Sequence, residues 1–544
     1  MVTQKRLTII VLLVAIFLST FVLYTPKPQG AFEDVFSTMH AMETIAAISQ
    51  DQHSVFDAEN HEAVRLYLKD RLTTYLGASN VIEYHYDRSL ITDDIVDYDI
   101  DNLLGIIPGD SDTAIMLVAH YDSRGHVGRS GELGESYGAA DDGYGIAVLL
   151  EIARLYKDRH LENTIYILMT DGEETGLYGA HFAATETALM SHVGLVINIE
   201  ARGAKGPAYM FETNKHNDQV LDLYREANYP VTYSLATAVY TVMPNSTDFT
   251  EFLAIEKNGL NFAVLNNLYY YHTPEDNYAN VSPSSIQHYG EQIVPLVEAF
   301  VTHEVYSDVD YFNGTHDDVF FMLFTNLMIR YSEMFANVMH IVVLLALIGF
   351  IVLLTMNKQF SFKKFGKSFG LFGAMMGLFI VVGFIVAYVI AFYSKVPFSV
   401  TYVKTSFGDL PALMTLVGLS ILCYVIYHKR YQLLKTEMMT AGSLFNLLLA
   451  LLTGFTLSGA SFLFLVIGLI GTSLLWFDHF VKHYRTRQIV YGIAVILSCL
   501  VLVPILYTLH LAITIGGLLA LGVILSFYLM VLIPHIDQQA TLKR

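Results

Sequence analysis

The stretch NTIYILMTDGEETGLYGA, residues 163–180, carries a mostly apolar run into two adjacent carboxylates, Glu173 and Glu174, and then into a tract of small residues. An apolar run of this length that ends at glycine reads as a strand buried on both faces. Acids at its carboxyl end lie where open α/β sheets collect their ligands. The reading of these residues therefore sets both the fold and the place to look for chemistry.

Three further runs read the same way: TAIMLVAHYD (113–122), HVGLVINIE (192–200) and NFAVLN (261–266). Between them, GIAVLLEIARLYKD (145–158), NDQVLDLYREA (217–227) and SSIQHYGEQIVPLVEAFVTH (284–303) have helical spacing. This alternation predicts an α/β fold, a mainly parallel mixed sheet flanked by helices.

Polar residues gather at the strand ends. His120 and Asp122 close the first run, Asp141 and Asp142 precede a helix, and Glu173 and Glu174 close the second. Glu200 and Arg202 close the third, and His272 and Asp276 follow the fourth. Singly, each has a structural reading: a histidine satisfied by neighbours, an aspartate capping a helix, a solvated pair of acids. Together, two imidazoles and several carboxylates at one edge of a sheet repel one another unless cations sit among them. A mixed imidazole and carboxylate donor set suits zinc. Two metals sharing a carboxylate could hold a hydroxide and polarise a carbonyl, leaving another carboxylate to carry the proton.

The rest of the chain differs in kind. Residues 330–544 hold 15 Lys+Arg against 5 Asp+Glu, and residues 1–329 hold 17 against 46, giving net charges of +10 and −29. Such an acidic half excludes nucleic acid as a partner. Apolar runs near 338–356, 368–393, 408–428, 440–457, 459–477, 488–508 and 511–533 are long enough to cross a hydrocarbon core of about 30 Å. A further run, 7–24, follows Lys5 and Arg6 without a small-residue cleavage site and reads as an uncleaved anchor. The expected organisation is an anchor in 1–30, an outer domain in 31–310, a linker in 311–337 and a polytopic helical membrane domain of about seven helices in 338–544. Lipid is thus an expected partner.

Basic residues fall at every second connection: Lys5 and Arg6; Lys358, Lys363, Lys364 and Lys367; Lys429, Arg430 and Lys435; Lys482, Arg485 and Arg487; Lys543 and Arg544. By the positive-inside rule this predicts about eight spans, both termini cytoplasmic, and the acidic domain outside the cytoplasm. Cys423 and Cys499 both fall inside expected spans, so the outer domain holds no cysteine. That, with short cytoplasmic loops, points to a bacterial plasma membrane.

The motifs HYDS, GAADDGYG, DGEETGLYGA, NIEARG and YHTPEDN, in this order, resemble those of the di-zinc metallopeptidases that include zinc aminopeptidases, glutamate carboxypeptidase and glutaminyl cyclases. The resemblance covers roughly residues 40–305. With its anchor and multi-span tail the chain resembles the membrane-bound branch of that family, which contains the endoplasmic-reticulum metallopeptidase and the vacuolar membrane protease.

The resemblance implies two zinc ions per chain, one on His120, Asp141 and Glu200, the other on Asp141, Glu174 and His272. Asp141, four residues before Gly145, would be the bridge, although Tyr144 stands in the family's small-residue slot. Glu173 would be general base and acid, Asp122 the acceptor orienting His120, and Tyr271 a support for the oxyanion. Arg202 and Asp248 are candidates for gripping a peptide terminus. The function implied is a membrane-anchored exopeptidase, an aminopeptidase hydrolysing peptides through a metal-bridging hydroxide. The alternatives are a glutaminyl-cyclase-like enzyme on the same scaffold and an inactive receptor-like module on a membrane bundle.

Overall fold

The computed structural model describes residues 2–30, 33–92, 97–125, 135–241 and 245–541. Lys543 and Arg544, counted above for orientation, lie outside the described residues. The chain forms two compact units, Leu23–Asp318, and Met1–Val22 with Val319–Arg544.

The first unit is built on a seven-stranded sheet. Its strands are β1 (Val81–Tyr86), β2 (Ile100–Ile107), β3 (Ser111–His120), β4 (Asn163–Thr170), β5 (Val193–Ala201), β6 (Lys205–Thr213) and β7 (Gly259–Asn266). They lie in the order β1-β2-β4-β3-β5-β7-β6. The four central strands pair in parallel, and the β1–β2, β2–β4 and β6–β7 pairings are antiparallel. These four parallel strands are the four apolar runs of the sequence. Every residue of β4 and β5 is buried, as a strand covered on both faces requires. One face packs Met116, Val118, Leu168 and Val196 against Phe249 and Phe252 of the helix Asp248–Ala254. The helices Gly143–Tyr156 and Pro283–Thr302 also pack on the sheet and against each other.

The helix Gly143–Tyr156 starts where it does because Asp142 caps it: Oδ1 accepts the Gly145 N–H at 3.0 Å. Gly145 cannot carry a side chain there, since a Cβ would lie 2.2 Å from Asp142 Oδ2 and 2.7 Å from the Ala119 Cβ. The cap and the glycine fix the preceding residue, Asp141, against the end of β3.

Among the described residues, the second unit has eight helices long and apolar enough to cross a membrane: Arg6–Leu23, Glu333–Met356, Phe362–Ser394, Asp409–Arg430, Gln432–Thr456, Ser458–Phe480, Tyr484–Ile513 and Ile515–Asp537. Ala15 of the first packs with Val495 and Cys499 of the seventh. The expected break at TLH (508–510) falls later. The helix runs on to Ile513 and ends at Thr514, whose φ is 52° and whose Oγ1 accepts the Val403 N–H at 2.8 Å. Nothing in TLH breaks a helix, whereas Gly516 and Gly517 just beyond do. The expected linker contains structure of its own: a strand pair, β8 (Asp318–Phe324) and β9 (Leu327–Ser332), with Ser332 capping the helix Glu333–Met356.

Candidate metal centre

The register of the parallel strands assembles the site. Val118 of β3 pairs with Asn198 of β5, so His120 and Glu200, two residues further along each strand, end side by side. His120 Nε2 lies 3.8 Å from Glu200 Oε2 and 3.5 Å from Asp141 Oδ1. The other oxygen of Asp141, Oδ2, lies 3.2 Å from His272 Nε2, which is 3.1 Å from Glu174 Oε1. Asp141 thus turns one oxygen to each imidazole. His120, Asp141 and Glu200 form one group, and Asp141, Glu174 and His272 another; within each group the donor atoms lie within 4.8 Å of one another.

Four of these donor atoms, His120 Nε2, Asp141 Oδ2, Glu174 Oε1 and His272 Nε2, are buried without a hydrogen-bond partner among the described residues. A buried polar atom left unpaired costs about 1–3 kcal/mol. Four such atoms converging from four chain segments fit a site made for cations. The donor chemistry, imidazole nitrogen with carboxylate oxygen, is that of zinc.

Electrostatics agree. Burial pushes the carboxyl groups of Glu173 and Glu200 well above the usual range; the charge of His120 opposes this and neighbouring carboxylates add to it. Burial raises Asp141 too, but the closely placed imidazoles of His120 and His272 outweigh burial and hold it below the ordinary value. Burial lowers His272, and Glu174 and Asp141 overcome it, taking the imidazole to about 9. The acids are stable as anions only beside positive charge.

Glu173 and Glu174 open a one-turn helix, Glu173–Gly176, after Gly172 in the left-handed region. Asp122 caps that turn from β3's end: Oδ1 accepts the Glu173 N–H at 3.0 Å and Oδ2 the Glu174 N–H at 3.2 Å. The imidazole of His120 meets Asp122 twice, Nδ1 lying 2.9 Å from the backbone carbonyl and 3.5 Å from the carboxylate. Asp122 therefore orients His120 mainly through its carbonyl, while its carboxylate sets the Glu173–Glu174 turn. Tyr271 stacks on His272 with ring centroids 3.6 Å apart.

Asp142, left open against Asp141 by the sequence, is the helix cap. Tyr144, in the small-residue slot, is buried; its hydroxyl donates to Ala204 O at 2.7 Å and accepts the Ser282 N–H at 2.6 Å. Arg202 is half-buried at the end of β5. Asp248, expected at a peptide terminus, is 1% exposed, with Oδ2 bonded to Thr170 Oγ1 and Oδ1 buried without a hydrogen-bond partner among the described residues. Burial raises its carboxyl to about 6.

Several residues escaped sequence reasoning. Arg124, two residues after Asp122, donates to Glu174 O at 2.7 Å and to Glu174 Oε2 at 3.1 Å, leaving Oε1 for the centre. Asp276, noticed in YHTPEDN but given no role, accepts the N–H groups of Ala140 at 2.7 Å and Asp141 at 3.3 Å and the Ser136 hydroxyl at 3.0 Å. Behind Glu200, Asn198 Nδ2 donates to Glu200 Oε1 (3.4 Å) and Asn261 Oδ1 (3.1 Å), and Asn261 Nδ2 donates to Glu212 Oε2 (2.9 Å). Two asparagines in otherwise apolar strands were the visible signal for that chain.

The mixed sheet thus carries two imidazole–carboxylate donor groups at the carboxyl ends of its parallel strands. Residues 102–297 match the model of peptidase family M28. Over 211 residues it is 31% identical to a vacuolar membrane protease of Candida albicans, covering 38% of this chain and 24% of that one. Over 260 residues it is 26% identical to endoplasmic reticulum metallopeptidase 1 of Mus musculus, covering 46% and 28%. The match spans about a quarter of the length of these relatives. The structure of a zinc aminopeptidase from Bacillus subtilis covers 50% of this chain and 97% of its own, at 16% identity and a TM-score of 0.37. With eight helices among the described residues long and apolar enough to cross a membrane, the chain is a multi-pass membrane protein.

Proposed function

We propose that the chain is a membrane-anchored, zinc-dependent exopeptidase, an aminopeptidase acting on peptides outside the cytoplasm. The observation that carries this is Asp141, each of whose oxygens faces a different imidazole, flanked by Glu200 on one side and Glu174 on the other. His120, Asp141 and Glu200 would hold one zinc ion and Asp141, Glu174 and His272 a second. When bound, the pair supplies Lewis acidity for the scissile carbonyl and for an attacking water.

Everything else falls to the chain itself. Glu173 is not needed as a donor to either group, and its turn is fixed by Asp122, so it is free to take a proton from water and return it to the leaving amine. Tyr271, stacked on His272, supports the oxyanion with its hydroxyl. Arg202 grips a terminus of the substrate. The alternating basic connections favour both termini in the cytoplasm and the peptidase domain of 31–310 outside, and the cysteine-free outer domain with short cytoplasmic loops favours a bacterial plasma membrane.

The test is digestion of a peptide library by the purified full chain with and without zinc, read by mass spectrometry. Residues should be released one at a time from the amino terminus. Glu173→Gln should lower the rate about 10²–10⁴-fold while bound zinc stays at two ions per chain. Undiminished activity in that variant sinks the role of Glu173, and a pyroglutamate product without hydrolysis would replace the peptidase by a cyclase.

A further inference from the structure

A buried acid at the root of the Glu173–Glu174 turn belongs to neither donor group. Asp171, fully buried, directly precedes Gly172 and the turn. Two elements share its carboxylate: Oδ1 lies 2.8 Å from Nε2 of His61, in the helix Ala58–Leu76, and Oδ2 accepts the Asp101 N–H at 3.0 Å. An ionised carboxylate only accepts, so Nε2 of His61 is the donor. Burial lowers His61, and Asp171 overcomes it, raising the imidazole above its ordinary value. The same ring stacks on Tyr121 with centroids 5.1 Å apart, and Tyr121 follows the ligand candidate His120. His61 thus touches the residue after His120 and the residue two before Glu173.

Asp171 is where the excursion 171–179 is pinned. Asp171 O accepts the Gly179 N–H at 2.8 Å, Asn102 Oδ1 accepts the Asp171 N–H at 3.1 Å, and Asn102 Nδ2 donates to Gly179 O at 2.8 Å. From that pin the chain reaches Glu173 through Gly172, whose φ is 68° and where a Cβ would lie 2.7 Å from Ile100 Cδ1. The two glutamates share Asp122 at their N–H groups but are otherwise braced unequally. Arg124 holds Glu174 at its carbonyl and at Oε2, whereas the Glu173 carboxylate makes no hydrogen bond to another described residue. A shift of Asp171 therefore passes to Glu173 more than to Glu174.

We propose that His61 is a positioning residue for the reaction: bonded to Asp171 and stacked on Tyr121, it sets the Glu173 carboxylate against the end of β3, so that its loss slows turnover without freeing metal. This rests on the reading of Glu173 as the base given above. Without the imidazole, Asp171 Oδ1 is a buried acceptor with no partner, and the carboxylate relieves that cost by moving. Gly172 hands the movement on to the base, whose distance from the attacking water decides the rate.

Two amide variants separate the bond from mere packing. His61→Gln places an N–H where Nε2 stands, and His61→Asn is too short to reach Asp171. In hydrolysis of Leu-Ala by the full chain with zinc, His61→Asn should lower kcat about 10–100-fold while KM and bound zinc stay within about twofold of the native chain. His61→Gln should recover most of that loss. Native kcat in His61→Asn, or an equal loss in both variants, overturns the assignment. So does zinc lost together with kcat, which would make His61 a support of the metal ligands, and so does a His61→Asn chain that does not fold, which would make it a support of the domain. If the native chain leaves Leu-Ala intact, or Glu173→Gln keeps the native rate, the reading of Glu173 as base fails, and amide hydrogen exchange over residues 171–179 decides separately whether His61 holds this turn. Faster exchange in His61→Asn that His61→Gln reverses supports it, and equal exchange in all three chains overturns it.

Discussion

Asp122 Oδ1 accepts the backbone N–H of Glu173 at 3.0 Å. The strand that ends in one candidate ligand, His120, thereby fixes the turn that carries another, Glu174, and the proposed base, Glu173. Both oxygens of Asp122 are used in this way, since Oδ2 takes the Glu174 N–H. Asp122→Asn keeps the shape but can accept only one of the two bonds, and it turns an NH₂ group towards an N–H. Residues that orient metal ligands affect affinity by about 10–100-fold. Asp122→Asn is expected to lower zinc affinity within that range, read by competition with a chelator, and activity with it. Unchanged zinc affinity would confine Asp122 to packing.

Asp276 plays a comparable part for the bridge. It collects two backbone N–H groups and a hydroxyl around Asp141, all buried. Asp276→Ala leaves these donors unpaired at about 1–3 kcal/mol apiece. The variant should unfold several degrees earlier, and added zinc should recover only part of the loss because the Ala140–Asp142 turn is no longer held. A thermal melt of the full chain in detergent, with and without zinc, measures both; an unaltered melt would remove Asp276 from the site's support.

The central sheet was legible because β4 and β5 are buried along their whole length and so are written as unbroken apolar runs. The outer strands were not. β1 is half-exposed with little alternation, and β6 begins Lys-Gly-Pro, which reads as a turn. The five metal-donor candidates were legible as acids and histidines at strand ends, and the strand register brings them together. What the sequence does not carry is the partner of a buried acid. Asp248 and Asp122 look alike in sequence, yet Oδ2 of one meets the Thr170 hydroxyl and both oxygens of the other cap a neighbouring turn. Only tertiary packing separates such cases, and it is likewise what brings Arg124 onto Glu174.

Arg124 offers a test of that contact. Its guanidinium occupies Glu174 Oε2 and leaves Oε1 aimed at His272. Arg124→Ala frees the carboxylate to rotate, so, if two ions bind as proposed, the one on Asp141, Glu174 and His272 should be lost first during dialysis against chelator, while the one on His120, Asp141 and Glu200 is retained. Metal content per chain, followed over time, should fall in two separated phases in the variant. Simultaneous loss of both ions would contradict this.

Glu212 allows a prediction in pH. It is 5% exposed, and burial raises its carboxyl to about 7, against a hydrogen bond from Asn261 that lowers it. The folded chain therefore holds this proton more tightly than the unfolded chain, whose carboxyl titrates near the ordinary value of about 4.3. The stability tied to that proton is complete below about pH 4.3, declines as pH rises, and is gone above about pH 7; integrated over this window the loss is about 4 kcal/mol. Glu212→Gln keeps an oxygen for Asn261 and has no proton to lose. Relative to the native chain, the variant should gain stability progressively between about pH 4.3 and 7 and hold a constant advantage above. Denaturant unfolding of both proteins at matched zinc across this range gives the difference directly. A difference independent of pH would mean that Glu212 is ionised in the folded chain throughout, and that the amide chain from Glu200 ends on a charge rather than on a carboxylic acid.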